Sequence, residues 1–223
     1  MPRLIRSSCL LLASLSASLG SKAFANEIPK SFVSLVEIAP SIKIEMRYYG
    51  KSNFVGRPLP GYHANKCYLT KNAAEALRNA QSALEPFGLR LVVYDCYRPQ
   101  RTVDAFVAWA KNLNDLTLQA EHYPHVKKDR LFSDGYIAEK SGHSRGGTVD
   151  LAIEGLDFGT PFDFFDPKSH TLNAEVSNTA RAHRALLKGV LERAGFVNYT
   201  QEWWHFTIAQ ELYPQAYFDF EIR

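Results

Sequence analysis

The hydrophobic periodicity of this chain changes repeatedly and never settles into a strand–helix–strand repeat, and that irregular order constrains its fold more than any other feature. Val33 to Ile38 and Ile42 to Tyr48 read as short strands. Gly50 to Gly61 carries Gly56, Pro58 and Pro60 and reads as a surface loop. Thr70 is a suitable N-cap for a helix to about Phe87, with an apolar stripe of Ala73, Leu77, Ala80 and Leu84 and a stop at Gly88. Leu89 to Tyr94 reads as a buried strand, and Pro99 suits the first turn of the next helix, which carries Val103, Phe106, Val107 and Ala110. Leu113 to Gly142 is long and mixed, and such a stretch inside a compact domain is often functional. Thr148 to Ile153 reads as a strand, Glu154 to His170 as a loop, and Ala174 to Ala194 as the longest helix, closed by Gly195. Phe196 to Tyr199 and Trp203 to Ile208 form a final strand pair. With no repeat, no G-x-G-x-x-G and no phosphate loop, this order predicts an α+β fold, a mostly antiparallel sheet flanked by helices.

The first residues read as a targeting segment. Arg3 and Arg6 precede an apolar run from Cys9 to Gly20, and Ala23-Phe24-Ala25 supplies an A-x-A cleavage site. Residues 1–25 are therefore expected to be a signal peptide and 26–223 a single domain, secreted into a compartment such as a bacterial periplasm. The apolar run is too short to span a bilayer and is not repeated, so no membrane span is expected. Removing 25 of 223 residues leaves 198, enough for one proper core. The leader holds Arg3, Arg6 and Lys22, three of the 26 basic residues, and no acid, so the remainder carries 23 charges of each sign. That balance gives no footprint for nucleic acid or an anionic membrane. Beyond the leader only Cys67 and Cys96 remain. In an oxidising compartment they would pair as a disulfide; otherwise they are two buried thiols.

Two segments carry residues with chemistry. One is Ser141-Gly142-His143-Ser144-Arg145-Gly146-Gly147-Thr148-Val149-Asp150, the other Glu202-Trp203-Trp204-His205. A hydrolytic zinc site takes three protein ligands and leaves a position for water. His143, Asp150 and His205 supply three, for one Zn2+ per chain. Gly146-Gly147 lets the backbone fold back, so that a loop histidine and a strand aspartate face one ion. His205 then ties the C-terminal strand to this loop. Glu202, three residues before His205, must sit at a turn or bulge to face the same side. There it would act as general base, taking a proton from the attacking water and passing it to the leaving amine. A bound metal lowers the pKa of its water to about 7. Each residue alone has a structural reading, a turn acid for Asp150 or core aromatics for Trp203 and Trp204; the conjunction favours the site. His122, His125, His170 and His183 compete as ligands, and His183, between Arg181 and Arg184 on a helix, reads as solvent-facing.

These motifs resemble the VanX-type D-alanyl-D-alanine dipeptidases, zinc peptidases of the fold shared with D,D-carboxypeptidases and the Hedgehog signalling domain. The likeness extends to Tyr94-Asp95-Cys96-Tyr97-Arg98-Pro99, Gly159-Thr160-Pro161-Phe162-Asp163 and Tyr217-Phe218-Asp219-Phe220, so it spans the whole chain after the leader. It implies His143, Asp150 and His205 as zinc ligands and Glu202 as base. It implies that Arg98 binds the scissile carbonyl oxygen as it turns into an oxyanion, where a guanidinium offers charged donors; the alternative is a structural ion pair with Asp95. Asp163 matches the position that pairs with the substrate ammonium, and Tyr48 and Ser141 match positions lining the substrate pocket. The partner implied is a small dipeptide. Cys96 departs from the pattern, standing where many relatives have Gly or Ala, and a bond to Cys67 would brace the strand presenting Arg98. The leader departs too. Cytoplasmic relatives remove D-Ala-D-Ala before it enters wall precursors, whereas an exported enzyme would act in wall turnover or dipeptide use. Two other readings stand beside this one: a D,D- or L,D-carboxypeptidase trimming peptidoglycan stems, and a zinc-stabilised binding module without turnover.

Overall fold

The computed structural model describes residues 27–223, so the expected signal peptide lies outside the described residues. Its centre is a five-stranded sheet in the order β2-β4-β5-β7-β6, made of β2 (Lys43–Ile44), β4 (Leu91–Asp95), β5 (Thr148–Ile153), β6 (Phe196–Asn198) and β7 (His205–Ile208). Only the β2–β4 pair in it is parallel; β4–β5, β5–β7 and β6–β7 are antiparallel. A second, two-stranded sheet pairs β1 (Phe32–Ser34) with β3 (Tyr68–Thr70). Helices α2 (Lys71–Leu84), α3 (Gln100–Lys111) and α5 (Asn178–Arg193) accompany the sheets, with single turns α1 (Leu35–Ile38) and α4 (Gln119–His122). This is the α+β, mostly antiparallel architecture that the element order predicts.

β5 is buried at every one of its residues, so its apolar side chains face core on both sides of the sheet while Asp150 is carried inside with them. α2 buries Ala73, Leu77, Ala80 and Leu84, the stripe read from the sequence, and ends through a short 3-10 turn at Gly88, whose φ is 68°. α5 starts at Asn178 and not at Ala174, because the Ser177 side chain accepts from the Ala180 N–H and fixes the N-terminus there. His183 is only half-buried, and its neighbour Arg184 is not on a solvent face. Arg184 is 1% exposed and donates to the carbonyls of Phe158 and His170. Burial lowers its pKa to about 10.

The N-terminal strands are shorter than expected. Val33 to Ile38 splits into β1 and one helical turn, where the Leu35 N–H turns away to the Cys67 carbonyl. Ile42 to Tyr48 yields two strand residues and then a 3-10 turn, Arg47–Tyr49, that buries Tyr48. Short apolar runs do not separate strand from turn by periodicity. Among the described residues, no helix is long and apolar enough to cross a membrane.

Candidate metal centre

The centre is built on strand register. Asp150 on β5 lies directly opposite His205 on β7, and Asp95 on β4 lies opposite Asp150 on its other side. A bulge between Val93 and Asp95 shifts the last residue of β4 into this row. His143 arrives from the Gly142–Arg145 3-10 turn, whose start is capped by the Ser141 side chain accepting from the His143 N–H at 3.3 Å. That turn ends on Gly146 at φ 80°, where a Cβ would stand 2.2 Å from the Phe32 ring, so only glycine fits.

The ligand atoms of His143, Asp150 and His205 all lie within 4.8 Å of one another. His143 Nε2 is 3.2 Å from Asp150 Oδ2, and His205 Nδ1 is 3.0 Å from Asp150 Oδ1. His143 Nδ1 donates to the Cys96 carbonyl at 2.7 Å, which leaves Nε2 as the lone-pair atom facing the cluster. Asp150 Oδ1 is enclosed and, despite the nearby imidazole, has no hydrogen-bond partner. A lone-pair nitrogen opposed to a carboxylate oxygen is stable when a cation lies between them. The donor set, two imidazoles and a carboxylate, suits a divalent transition ion. Burial works to raise the Asp150 pKa, but His143 and His205 hold it below the usual carboxylate range. Burial lowers the His143 pKa, so this imidazole is neutral, the form that ligates.

Glu202 sits in the turn before β7, as the three-residue spacing requires. Its N–H bonds the Tyr199 carbonyl, and its Oε2 is 3.5 Å from His205 Nδ1. It is 8% exposed, and burial, followed by the charge of Asp150, raises its pKa to about 8. Arg98 makes the ion pair with Asp95 that its structural reading expects, and it also faces the ligand cluster. Its Nε donates to Asp95 at 2.8 Å, while one terminal nitrogen reaches Asp150 Oδ2 at 3.5 Å. Its guanidinium also lies over the Tyr48 and Phe106 rings at 4.9 and 5.0 Å. Asp95 carries more than the ion-pair role foreseen for it. It lies 3.5 Å from His143 Nδ1 and accepts from the Tyr62 hydroxyl at 2.5 Å. The sequence gives Tyr62 no motif, and only the fold brings it here.

One pocket opens onto these groups, lined by Tyr48, Arg98, Ser141, Asp150, Asp163, Glu202, Trp204 and His205 among others. Asp163 is 4% exposed and accepts from the Tyr48 hydroxyl at 3.0 and 3.2 Å. Its φ of 58° is the only left-handed value at a non-glycine among the described residues. Burial, then the charge of Asp150, pushes its carboxyl well above the usual range. His122 is not a ligand but bonds the Asp163 backbone carbonyl at 2.9 Å, and His125 pairs with Asp166. Of the two cysteine alternatives, the structure contains the disulfide, with Cα atoms 5.4 Å apart.

Residues 29–223 match the family model described as D-ala-D-ala dipeptidase, Peptidase M15. The chain is 39% identical over 197 residues to the D-alanyl-D-alanine dipeptidase of Streptomyces coelicolor, covering 86% of this chain and 98% of the relative. It is 36% identical over 197 residues to that of Enterococcus faecalis, with the same coverage. Among solved structures, a vancomycin-resistance D,D-pentapeptidase VanY in complex with Zn(II) covers 76% of this chain and 79% of its own, at 13% identity and a TM-score of 0.43. The match along nearly the whole described chain, with identity well above a third to a full-length relative, makes this protein a member of the D-ala-D-ala dipeptidase family of M15 peptidases.

Proposed function

We propose that this peptidase hydrolyses free D-alanyl-D-alanine with one zinc ion held by His143, Asp150 and His205. The observation that carries the reading is an imbalance of buried charge. Asp150, Asp163 and Glu202 are buried at the pocket wall, Asp95 is buried behind Arg98, and Arg98, its side chain 11% exposed, is the one guanidinium among them. A divalent ion and a single substrate ammonium restore neutrality. Buried carboxylates without such partners are strongly disfavoured.

Zinc, when bound, supplies Lewis acidity and a water of lowered pKa. The chain's own groups do the rest. Glu202, whose carboxyl burial raises to about 8, lies beside His205, where the positive charge of a bound ion would favour its ionised form, able to take a proton from the water and return it to the departing amine. Arg98 stays charged, because burial, which works against the charge, is outweighed by Asp95, Tyr48, Tyr62 and Asp150 together, and it presents N–H groups beside Asp150 for the carbonyl oxygen as negative charge grows on it. Asp163 holds the substrate ammonium. That cation offsets the burial penalty on its carboxylate, and Tyr48 orients it by donating its hydroxyl hydrogen. Ser141, spent partly as the cap of the His143 turn, lines the same pocket.

Because Asp163 is buried inside the pocket, a chain extended at the amino end would bury an uncharged amide against it. This favours a dipeptidase over a stem-trimming carboxypeptidase. The presence of both Glu202 and Arg98 beside the ligand set favours turnover over a binding module. The leader motif and the disulfide support action in an oxidising, extracytoplasmic compartment, for wall turnover or dipeptide use.

The test is a substrate panel on metal-loaded protein: D-Ala-D-Ala, its N-acetyl derivative, L-Ala-L-Ala and a muropeptide. The free D,D-dipeptide is expected to be cleaved fastest; faster cleavage of the muropeptide overturns the assignment. Glu202→Ala is expected to keep its zinc and lose at least ~100-fold in kcat. Near-normal turnover in that variant removes Glu202 from the mechanism.

A further inference from the structure

We infer that the Cys67–Cys96 disulfide is a positioning element of the metal centre, fixing the carbonyl that orients His143 and so setting how tightly the ion is held. The inference rests on the proposed ligand set and assigns the two cysteines a part in it.

Besides the C-terminal segment, where the Phe218 N–H donates to the Ser144 carbonyl at 2.8 Å and Glu211 accepts from Arg145, the His143 turn hangs between two supports. One is the segment after β4: the Cys96 carbonyl accepts from His143 Nδ1 at 2.7 Å, the Arg98 N–H donates to the His143 carbonyl at 3.3 Å, and Ser144 Oγ donates to the Arg98 carbonyl at 2.8 Å. The other is β3: Thr70 gives both its N–H and its hydroxyl hydrogen to the Gly146 carbonyl, at 2.8 and 3.1 Å. Gly146 closes the turn by donating its own N–H to the His143 carbonyl.

These supports belong to different sheets, β3 to the two-stranded one and β4 to the five-stranded one. Their relative placement is therefore not set by one ladder of strand hydrogen bonds. Two ties join them at this point: the Tyr97 N–H to Tyr68 carbonyl bond at 3.0 Å, and the disulfide, whose two residues are fully buried. A ligating histidine is oriented by the acceptor on its other nitrogen, and loss of such a partner lowers metal affinity by roughly 10–100-fold. Here that acceptor is the backbone of a cross-linked residue. The same peptide run carries Asp95 and Arg98, so a shift of Cys96 moves all three groups relative to the ligands.

The experiment compares wild type with Cys67→Ala/Cys96→Ala. Zinc affinity is measured by competition with a chromophoric chelator, the ligand field by the visible spectrum of the cobalt(II)-loaded protein, and the thermal midpoint in parallel. Leu187→Ala, a buried truncation on α5 away from the pocket, serves as a destabilised control. The double variant is expected to bind zinc about 10–100-fold more weakly and to show an altered cobalt spectrum. The control is expected to keep wild-type affinity and spectrum despite a lowered midpoint. Wild-type affinity and spectrum in the double variant overturn the inference. If that variant does not fold, Cys67→Ala alone cuts the tie while leaving Cys96 in place, and the same outcomes decide. Wild-type protein that takes up no metal sinks the ligand set itself, a distinct result.

Discussion

In the proposed site, Asp163 shows how a single residue would be made specific. A carboxylate with φ of 58°, buried against a tyrosine hydroxyl and pushed upward by a neighbouring acid, is costly to ionise. A ligand that brings a positive charge recovers that cost, whereas a neutral one gains nothing from it. Asp163→Asn keeps the shape and the Tyr48 contact but removes the charge. It is expected to raise KM for the free dipeptide at least ~10-fold, while N-acetylated substrate, poor in both proteins, changes little. A steady-state comparison of the two substrates checks this, and an unchanged preference for the free amine discards the assignment. His205→Ala is expected to abolish stoichiometric zinc, read by elemental analysis, since two remaining ligands make a weak site.

At the scale of elements, the sheet row and the glycine turn build the centre. Gly146→Ala places a methyl group against the Phe32 ring in a backbone conformation that disfavours it. A loss of at least about 1–3 kcal/mol is expected from the strain, seen as a lower urea midpoint. Ser177→Ala, at the start of α5 and away from the pocket, is expected to cost about 1 kcal/mol and leave kcat unchanged. What the sequence made legible follows the strength of local signals. β5 matches its expected span of Thr148 to Ile153, because a short run rich in apolar and β-branched residues between Gly147 and Gly155 leaves little choice. The apolar stripe of α2 is right for the same reason. Thr70, expected to cap α2, instead sends its hydroxyl hydrogen to Gly146, a partner 76 residues away that no local rule foretells. The burial of Arg184 is no more legible locally, since its acceptors are loop carbonyls distant in sequence. Within the site, the ligand segments were visible as motifs. Tyr62 and the full role of Asp95 were not, because cross-strand register and a bulge create them.

For the whole molecule, the proposed metal site links ion binding to stability. An ion that binds only the folded chain stabilises it by about 2.7 kcal/mol when present at 100 times its dissociation constant. A chelator is therefore expected to lower the thermal midpoint, and graded zinc to restore it; a midpoint indifferent to both would refute the ligand set. The row of Asp95, Asp150 and His205 across β4, β5 and β7 has one more consequence. A slip of β5 by one residue would turn Asp150 to the opposite face of the sheet and leave the imidazoles without their carboxylate. On the proposed ligand set, ion capture is a gauge of correct strand pairing: a misthreaded copy would be blind to zinc, and only chains that have chosen the native alignment would gain the extra stability that the ion confers.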